Sequence, residues 1–220
     1  MMNERTIFLI CKVSARSVAL LLGAFLVFVQ ALGGYSWAQE KLSSTSGFRW
    51  PEGKKAALSL TFDDARVSQI DQGLPFFATQ SAKITFYVNP GALQQRLEGW
   101  KRVKALGHEI ANHTIEHPCS GNFSFARKRS KELENYSIDR MRQELLDANR
   151  IIHDLLDVTP TTFAYPCGQK YVGRGRLLQS TVPLVAELFQ AGRGYNDEST
   201  NDPAFCDPAQ LRVEEAIVNS

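Results

Sequence analysis

The chain has 220 residues, 25 of them lysine or arginine against 23 aspartates and glutamates, for a formal net charge of +2. That length suits one domain with a real hydrophobic core. The near-neutral balance, with no basic stripe, gives no support to a nucleic-acid footprint.

The first forty residues read differently from the rest. Arg5, Lys12 and Arg16 precede an apolar run from Val18 to Gly34, and Ser36-Trp37-Ala38 puts small residues where a signal peptidase cuts. Residues 1–38 are read as a signal peptide, with an uncleaved membrane anchor as the alternative, and residues 39–54 as a polar linker. The basic flank keeps the N-terminus inside, so a secreted or periplasmic protein is expected. Arg127-Lys128-Arg129-Ser130-Lys131 is a dense basic patch that a solvated loop or helix start explains, with contact to an acidic polymer as the alternative.

From residue 55 to 220 the pattern is one of alternation. Ala56 to Phe62 is a first strand, ending at the paired carboxylates Asp63 and Asp64. Val67 to Gln80 is helical, weakened by Gly73 and Pro75. Lys83 to Val88 is β-branched and aromatic, a second strand. Leu93, Leu97, Trp100, Val103 and Leu106 then recur at helical spacing before Gly107, which makes Trp100 a core residue rather than a sugar platform. His108 to Asn112 is a third strand, delivering the chain to His113. Gly121 to Lys131 reads as a loop, Ile138 to Leu156 as the longest helix, and the stretch from Val158 to Ala164 leads into a fourth strand. Residues 174 to 183 suggest a short helix ended by Pro183, Val185 to Ala191 a fifth strand, Gly192 to Asp197 a loop, and Leu211 to Val218 a short final element. Such alternation predicts an α/β fold with a mainly parallel sheet and helices outside. The polar clusters fall just past strand C-termini, where such folds place their chemistry.

Two like charges at a strand end are costly unless a cation or a shared proton lies between them. Adjacent side chains on an extended backbone face opposite ways, so the chain must turn there if both are to serve one pocket. Asp64, His113 and His117 offer one oxygen and two nitrogens, the three-ligand set of a catalytic zinc centre with an open position. Pro118 follows at once, which favours a loop or single turn over a helix face. A zinc-protease reading fails on spacing, because Thr114 stands where that pattern needs glutamate; Glu116 is solvated or supporting.

Thr61-Phe62-Asp63-Asp64, His113-Thr114-Ile115-Glu116-His117 and, in part, Phe163-Ala164-Tyr165-Pro166-Cys167-Gly168 together resemble the polysaccharide deacetylase family. Its members remove N- or O-acetyl groups from polymers such as chitin, peptidoglycan or xylan. The resemblance spans Lys54 to Tyr195 and implies a distorted, incomplete (β/α) barrel. It implies Asp63 as general base, and Asp64, His113 and His117 as ligands of a divalent metal, with zinc preferred on ligand type. It also implies an oxyanion donor at the Cys167 backbone N–H and substrate contact from Pro166 and Tyr165; Thr114, able to hydrogen-bond a ligand or the backbone, is read as support. The implied partner is an acetylated glycan. No nucleic acid, no membrane beyond the export signal and a monomeric state are expected.

Two departures stand out. The family arginine that steadies the catalytic aspartate falls at Ala164, leaving Arg193 and Lys170 as candidate substitutes. The late Leu-x-His motif has no counterpart, since the one histidine after His117 is His153, a helix-surface or boundary residue within the longest helix. The final barrel strands are therefore expected to be missing. The alternatives to a working deacetylase are an impaired or inactive module of the same fold, or a hydrolase of small amides and esters. Cys119, Cys167 and Cys206 would lie in a compartment that permits disulfides, and an odd number leaves the pairing open.

Overall fold

The structure is a computed structural model in which residues 48–197 and 199–214 are described. The signal peptide, the linker up to residue 47 and the end of the expected final element lie outside those residues. Five parallel strands make one sheet in the spatial order β1 (Thr61–Asp63), β2 (Thr85–Val88), β3 (Glu109–Asn112), β4 (Thr162–Ala164) and β7 (Ala191–Arg193). Between the last two, β5 (Tyr171–Val172) and β6 (Gln179–Ser180) form a separate antiparallel pair. The connections carry α1 (Leu74–Phe77), α2 (Pro90–Leu93), α3 (Leu97–Ala105), α4 (Ser124–Arg129), α5 (Ile138–Leu156) and α6 (Val182–Leu188). This is the mainly parallel sheet with helices outside that the alternation predicted, in the incomplete (β/α) barrel that the resemblance implied.

The two faces of the sheet divide the work. Phe86, Val88 and Ile110 turn outward and pack with Trp100, Val103, Ile152 and Leu156, while Phe163 packs with Met141, Leu145 and Val185. The opposite face is small and polar. Glu109 there accepts hydrogen bonds from the hydroxyls of Thr85 and Thr162, each 2.6 Å long. One layer nearer the strand C-termini, Tyr87, Ala111 and Ala164 are buried together. Trp100 is fully buried, edge-on to Phe86 at 5.4 Å between centroids, so it is a core residue.

Helix α5 matches its predicted bounds because its local signals agree. Ser137 accepts from the Arg140 N–H at its start, Asp157 takes a left-handed conformation at its end, and Met141, Leu145, Ala148, Ile152 and Leu156 form one buried stripe.

Elsewhere the sequence misled. The Val185–Ala191 run is not a strand: Val182–Leu188 is helix, and β7 begins only at Ala191 and takes in Gly192 and Arg193, which were expected in a loop. Pro183 starts that helix instead of ending one, since a proline in the first turn forfeits no internal hydrogen bond. Residues 174 to 183 hold a 3-10 turn at Gly175–Leu177 and then β6. The expected loop from Gly121 to Lys131 contains α4, and the expected helix from Val67 is a π-helical turn at Gln69–Gly73 leading into α1. Residues 56–60 are exposed and outside β1, and Leu211 makes a single bridge to Arg193.

Candidate metal and acid–base site

At the end of β1 the backbone enters the left-handed region at Asp64 (φ 74°) and Ala65 (φ 49°), which turns the chain as two cooperating carboxylates require. The Gln69 side-chain amide donates to the Asp63 carbonyl at 2.6 Å and pins the turn from the following segment. Thr114, His117 and Cys167 also have positive φ. Non-glycine residues so placed cost on the order of 1–3 kcal/mol each and gather at functional sites. Here five of them surround one group of side chains.

The histidines come from the loop after β3. Asn89 donates to the carbonyls of His113 (2.5 Å) and Thr114 (3.0 Å), and Asn112 accepts from the Thr114 N–H at 2.7 Å. Thr114 closes the turn by accepting from the His117 N–H at 3.0 Å. Glu144 on α5 accepts from the N–H groups of Ile115 (3.0 Å) and Glu116 (2.7 Å). Burial pushes the Glu144 carboxyl above its ordinary value, against the pull of those two amides.

His113 Nε2 and His117 Nε2 each lie 3.5 Å from Asp64 Oδ1, and one ligand atom from each residue falls within 4.8 Å of the others. Arg66 occupies the other oxygen, with its Nε and Nη2 donating to Asp64 Oδ2 at 3.2 and 2.9 Å. His113 Nδ1 is 2.8 Å from the Ala164 carbonyl. A carbonyl can only accept, so Nδ1 carries the proton and Nε2 turns its lone pair toward Asp64. His117 Nδ1 lies 3.6 Å from Cys119 Sγ, which is bonded to Cys167 and has no proton to give. Its Nε2 therefore also presents a lone pair.

The close approach of His113 holds the Asp64 carboxyl well below the usual carboxylate range against the effect of burial, with Arg66 and then His117 adding to it. Burial, and then the neighbouring His113, pushes His117 down, which keeps its ring neutral. A carboxylate facing two imidazole nitrogens needs a proton or a cation between them. One oxygen and two nitrogens that converge, with their outer N–H groups already committed, fit a divalent cation.

Asp63 faces the other way, into the barrel, where its Oδ1 forms an ion pair with Arg193 Nη2. The Arg193 guanidinium is buried, lies 4.5 Å over the Tyr87 ring and donates from Nη1 to the Gly194 carbonyl at 3.0 Å. Ala164, where the related pattern has arginine, is fully buried beside Tyr87 and Ala111. Of the two candidate substitutes, Arg193 reaches Asp63; Lys170 lies 5.9 Å over the Tyr165 ring instead.

Residues 46–180, more than half of the chain, match the family model for polysaccharide deacetylase. The chain belongs to the polysaccharide deacetylase family. It is 27% identical over 135 residues to the peptidoglycan-N-acetylglucosamine deacetylase PgdA of Listeria monocytogenes, which covers 56% of this chain and 25% of that protein. It is 26% identical over 147 residues to a gellan lyase of a Bacillus species, covering 66% of this chain and 5% of the lyase. The chain thus spans a small part of the curated relatives it matches. Among solved structures, the Streptococcus pyogenes deacetylase PplD in complex with acetate aligns with a TM-score of 0.55 and 22% identity, over 73% of this chain and 65% of that one. That likeness speaks to the fold.

Within this polysaccharide deacetylase family member, the third motif is built unlike the expectation in one respect. Tyr165 was expected to contact substrate, yet its side chain is buried against Phe163 and its hydroxyl donates to the Ala209 carbonyl at 2.7 Å. A core position won because the ring completes the apolar cluster under α6. Pro166 is buried, and Cys167 forms the turn that follows and is disulfide-bonded to Cys119. That settles the open pairing and leaves Cys206 exposed and free.

Glu116 pairs with Lys131, away from Asp64. His153 is exposed on α5 beside Asp154 and Asp157, the surface histidine expected. His108 is buried and accepts from the Ile84 N–H at 3.3 Å. Sequence reasoning missed Asn89, Glu144 and Arg66. The signal for Asn89 lay in Asn89-Pro90-Gly91, a turn sequence that directly follows the second strand. Glu144 sat among the polar residues of an amphipathic helix and gave none.

Proposed function

We propose that the chain is a hydrolase removing acetyl groups from an acetylated glycan, with Asp64, His113 and His117 holding a divalent cation and Asp63 acting as general base. The observation that carries this reading is the split at one turn: Asp64 faces two imidazole nitrogens while its neighbour Asp63 faces a buried guanidinium. A cation on that donor set, with zinc suiting one carboxylate and two imidazoles, supplies water of near-neutral pKa and polarises an acetyl carbonyl. Asp63 takes the proton of the attacking water. Arg193 fixes the orientation of that carboxylate and keeps it from turning toward the ligand cluster. The backbone N–H of Cys167, carried on its positive-φ turn, is assigned to the developing oxyanion, where one donor is worth about 3 kcal/mol.

Acetate release by the full chain from acetylated chito-oligosaccharides and peptidoglycan fragments tests the reading, with zinc content measured beside it. Asp63→Asn should abolish release and keep the zinc; Asp64→Ala should lose both. Equal zinc in the Asp64→Ala variant and its parent removes the site from this account.

A second reading is a weakened or inactive module of the same fold. It is favoured by the histidine inventory: of the four in the chain, His108 is in the core and His153 on the helix surface, so none beyond the two ligands can serve as general acid. Zinc binding without acetate release would select it. Release from a soluble aryl acetate alone would select a small-substrate hydrolase instead. We infer export from the leader, which N-terminal sequencing of the mature protein tests.

A further inference from the structure

The disulfide lies against a ligand of the proposed cation site. Cys119 Sγ is 3.6 Å from His117 Nδ1, and the ligand atoms of His117, Cys119 and Cys167 fall within 4.8 Å of one another, as do those of Asp64, His113 and His117. His117 belongs to both groups through different nitrogens. A neutral imidazole has one lone pair, so it can serve one group at a time.

The two cysteine loops are also tied together independently of the sulfur bridge. The Gln169 side chain accepts from the Ser120 N–H at 2.5 Å and donates to the Ser120 hydroxyl at 3.0 Å. Cys119 is in turn held by its carbonyl, which accepts from the Leu133 N–H at 3.0 Å. Breaking the bridge therefore leaves both sulfurs beside the ring. Cys119 is buried while Cys167 is partly exposed, so the Cys167 side is the more open approach to the bridge.

We propose that reduction of Cys119–Cys167 creates a second, soft-cation site from the two thiolates and His117 Nδ1, which withdraws His117 from Asp64 and His113. The inference rests on the reading of Asp64, His113 and His117 as a cation site. A dithiol supplies the two electrons and two protons: the S–S bond breaks, both cysteines become thiols, and the dithiol closes to its own disulfide. Binding of a divalent cation displaces both thiol protons to solvent. The ring proton moves from Nδ1 to Nε2, which then donates to Asp64 Oδ1 instead of offering it a shared ligand. Two sulfurs and one nitrogen favour zinc or cadmium over the hard cations.

The test uses the full chain carrying Cys11→Ser and Cys206→Ser, so that of its four cysteines the bridge pair alone remains. It is reduced with dithiothreitol, desalted without oxygen and titrated with cadmium. The expected result is a thiolate-to-cadmium charge-transfer band saturating at one ion per chain, absent before reduction and lost on adding Cys167→Ser. His117→Asn should weaken cadmium binding by more than about 100-fold, beyond the roughly 10- to 100-fold loss typical of a supporting residue. Asp64→Ala should leave the band intact, which separates failure here from failure of the deacetylase reading. A reduced, natively folded chain with no band, or a band indifferent to His117→Asn, overturns the proposal. Loss of the native near-UV circular dichroism on reduction overturns it too, because Gln169 would then not hold the loops.

Discussion

Asp63 and Arg193 stand at the C-terminal ends of the two edge strands of the sheet, β1 and β7, and their side chains meet in an ion pair. Three strands lie between them, so contact requires the sheet to curl and a long side chain to cross its mouth. Ala111 and Ala164 are buried with Tyr87, over whose ring the guanidinium lies. The guanidinium spans the gap from the opposite edge, so a charge that the third motif lacks is supplied from another strand.

Replacing Arg193 by alanine should leave Asp63 facing a void and reduce acetate release. The loss of one partner of such a bond is about 1–3 kcal/mol, equivalent to about 5- to 150-fold in kcat/KM. Arg193→Lys should recover part of the rate, since a single ammonium can reach one carboxylate oxygen but not also the Gly194 carbonyl. Zinc content should be unchanged in both, which steady-state kinetics and metal analysis check together.

Asn89→Ala should cost about 1–3 kcal/mol in chemical denaturation, because two buried loop carbonyls lose their donor. Zinc affinity should fall with it, since those carbonyls set the path of the chain through His113 and Thr114.

Glu144 yields a pH-dependent expectation with a definite sign. Burial raises its folded pKa above the unfolded value of about 4.3, so the folded state holds the proton more tightly. The contribution of the protonated form is therefore full below that unfolded value and is lost as pH rises through the raised folded one. Glu144→Gln can still accept from both amides and cannot ionise. The parent chain should thus lose stability relative to Glu144→Gln as pH climbs through that window, and Glu144→Ala should be the least stable of the three above it. Melting curves between pH 4 and pH 8, taken with a chelator present, decide this.

Trp100→Ala should destabilise the fold by about 3–5 kcal/mol through the cavity it opens beside Phe86. Trp100→Phe should cost less, since it removes an indole N–H that is buried without an acceptor. Acetate release per folded molecule should not change in either, whereas a sugar platform would raise KM.

Helix α5 and the Asp-Asp turn were legible because their signals are local. A serine cap and a stripe every three or four residues define the helix, and adjacent like charges at a strand end demand a turn. Val185–Ala191 was misread because a short, largely apolar run fits strand and helix alike; packing under the sheet chose helix. The close approach comes at Gly192 in β7 instead, where a side chain would meet Val185 and the Ala209 carbonyl.

The sequence by itself determined the first four parallel strands and the longest helix, the three clusters past the strand ends, and which residue types could hold a cation. Those follow from periodicity and spacing, which neighbouring residues impose on one another. Only the tertiary structure decided that Arg193 serves Asp63, that Cys119 joins Cys167, and that Tyr165 turns inward. Each of these depends on how far the sheet curls, and curl is set by packing between segments remote along the chain.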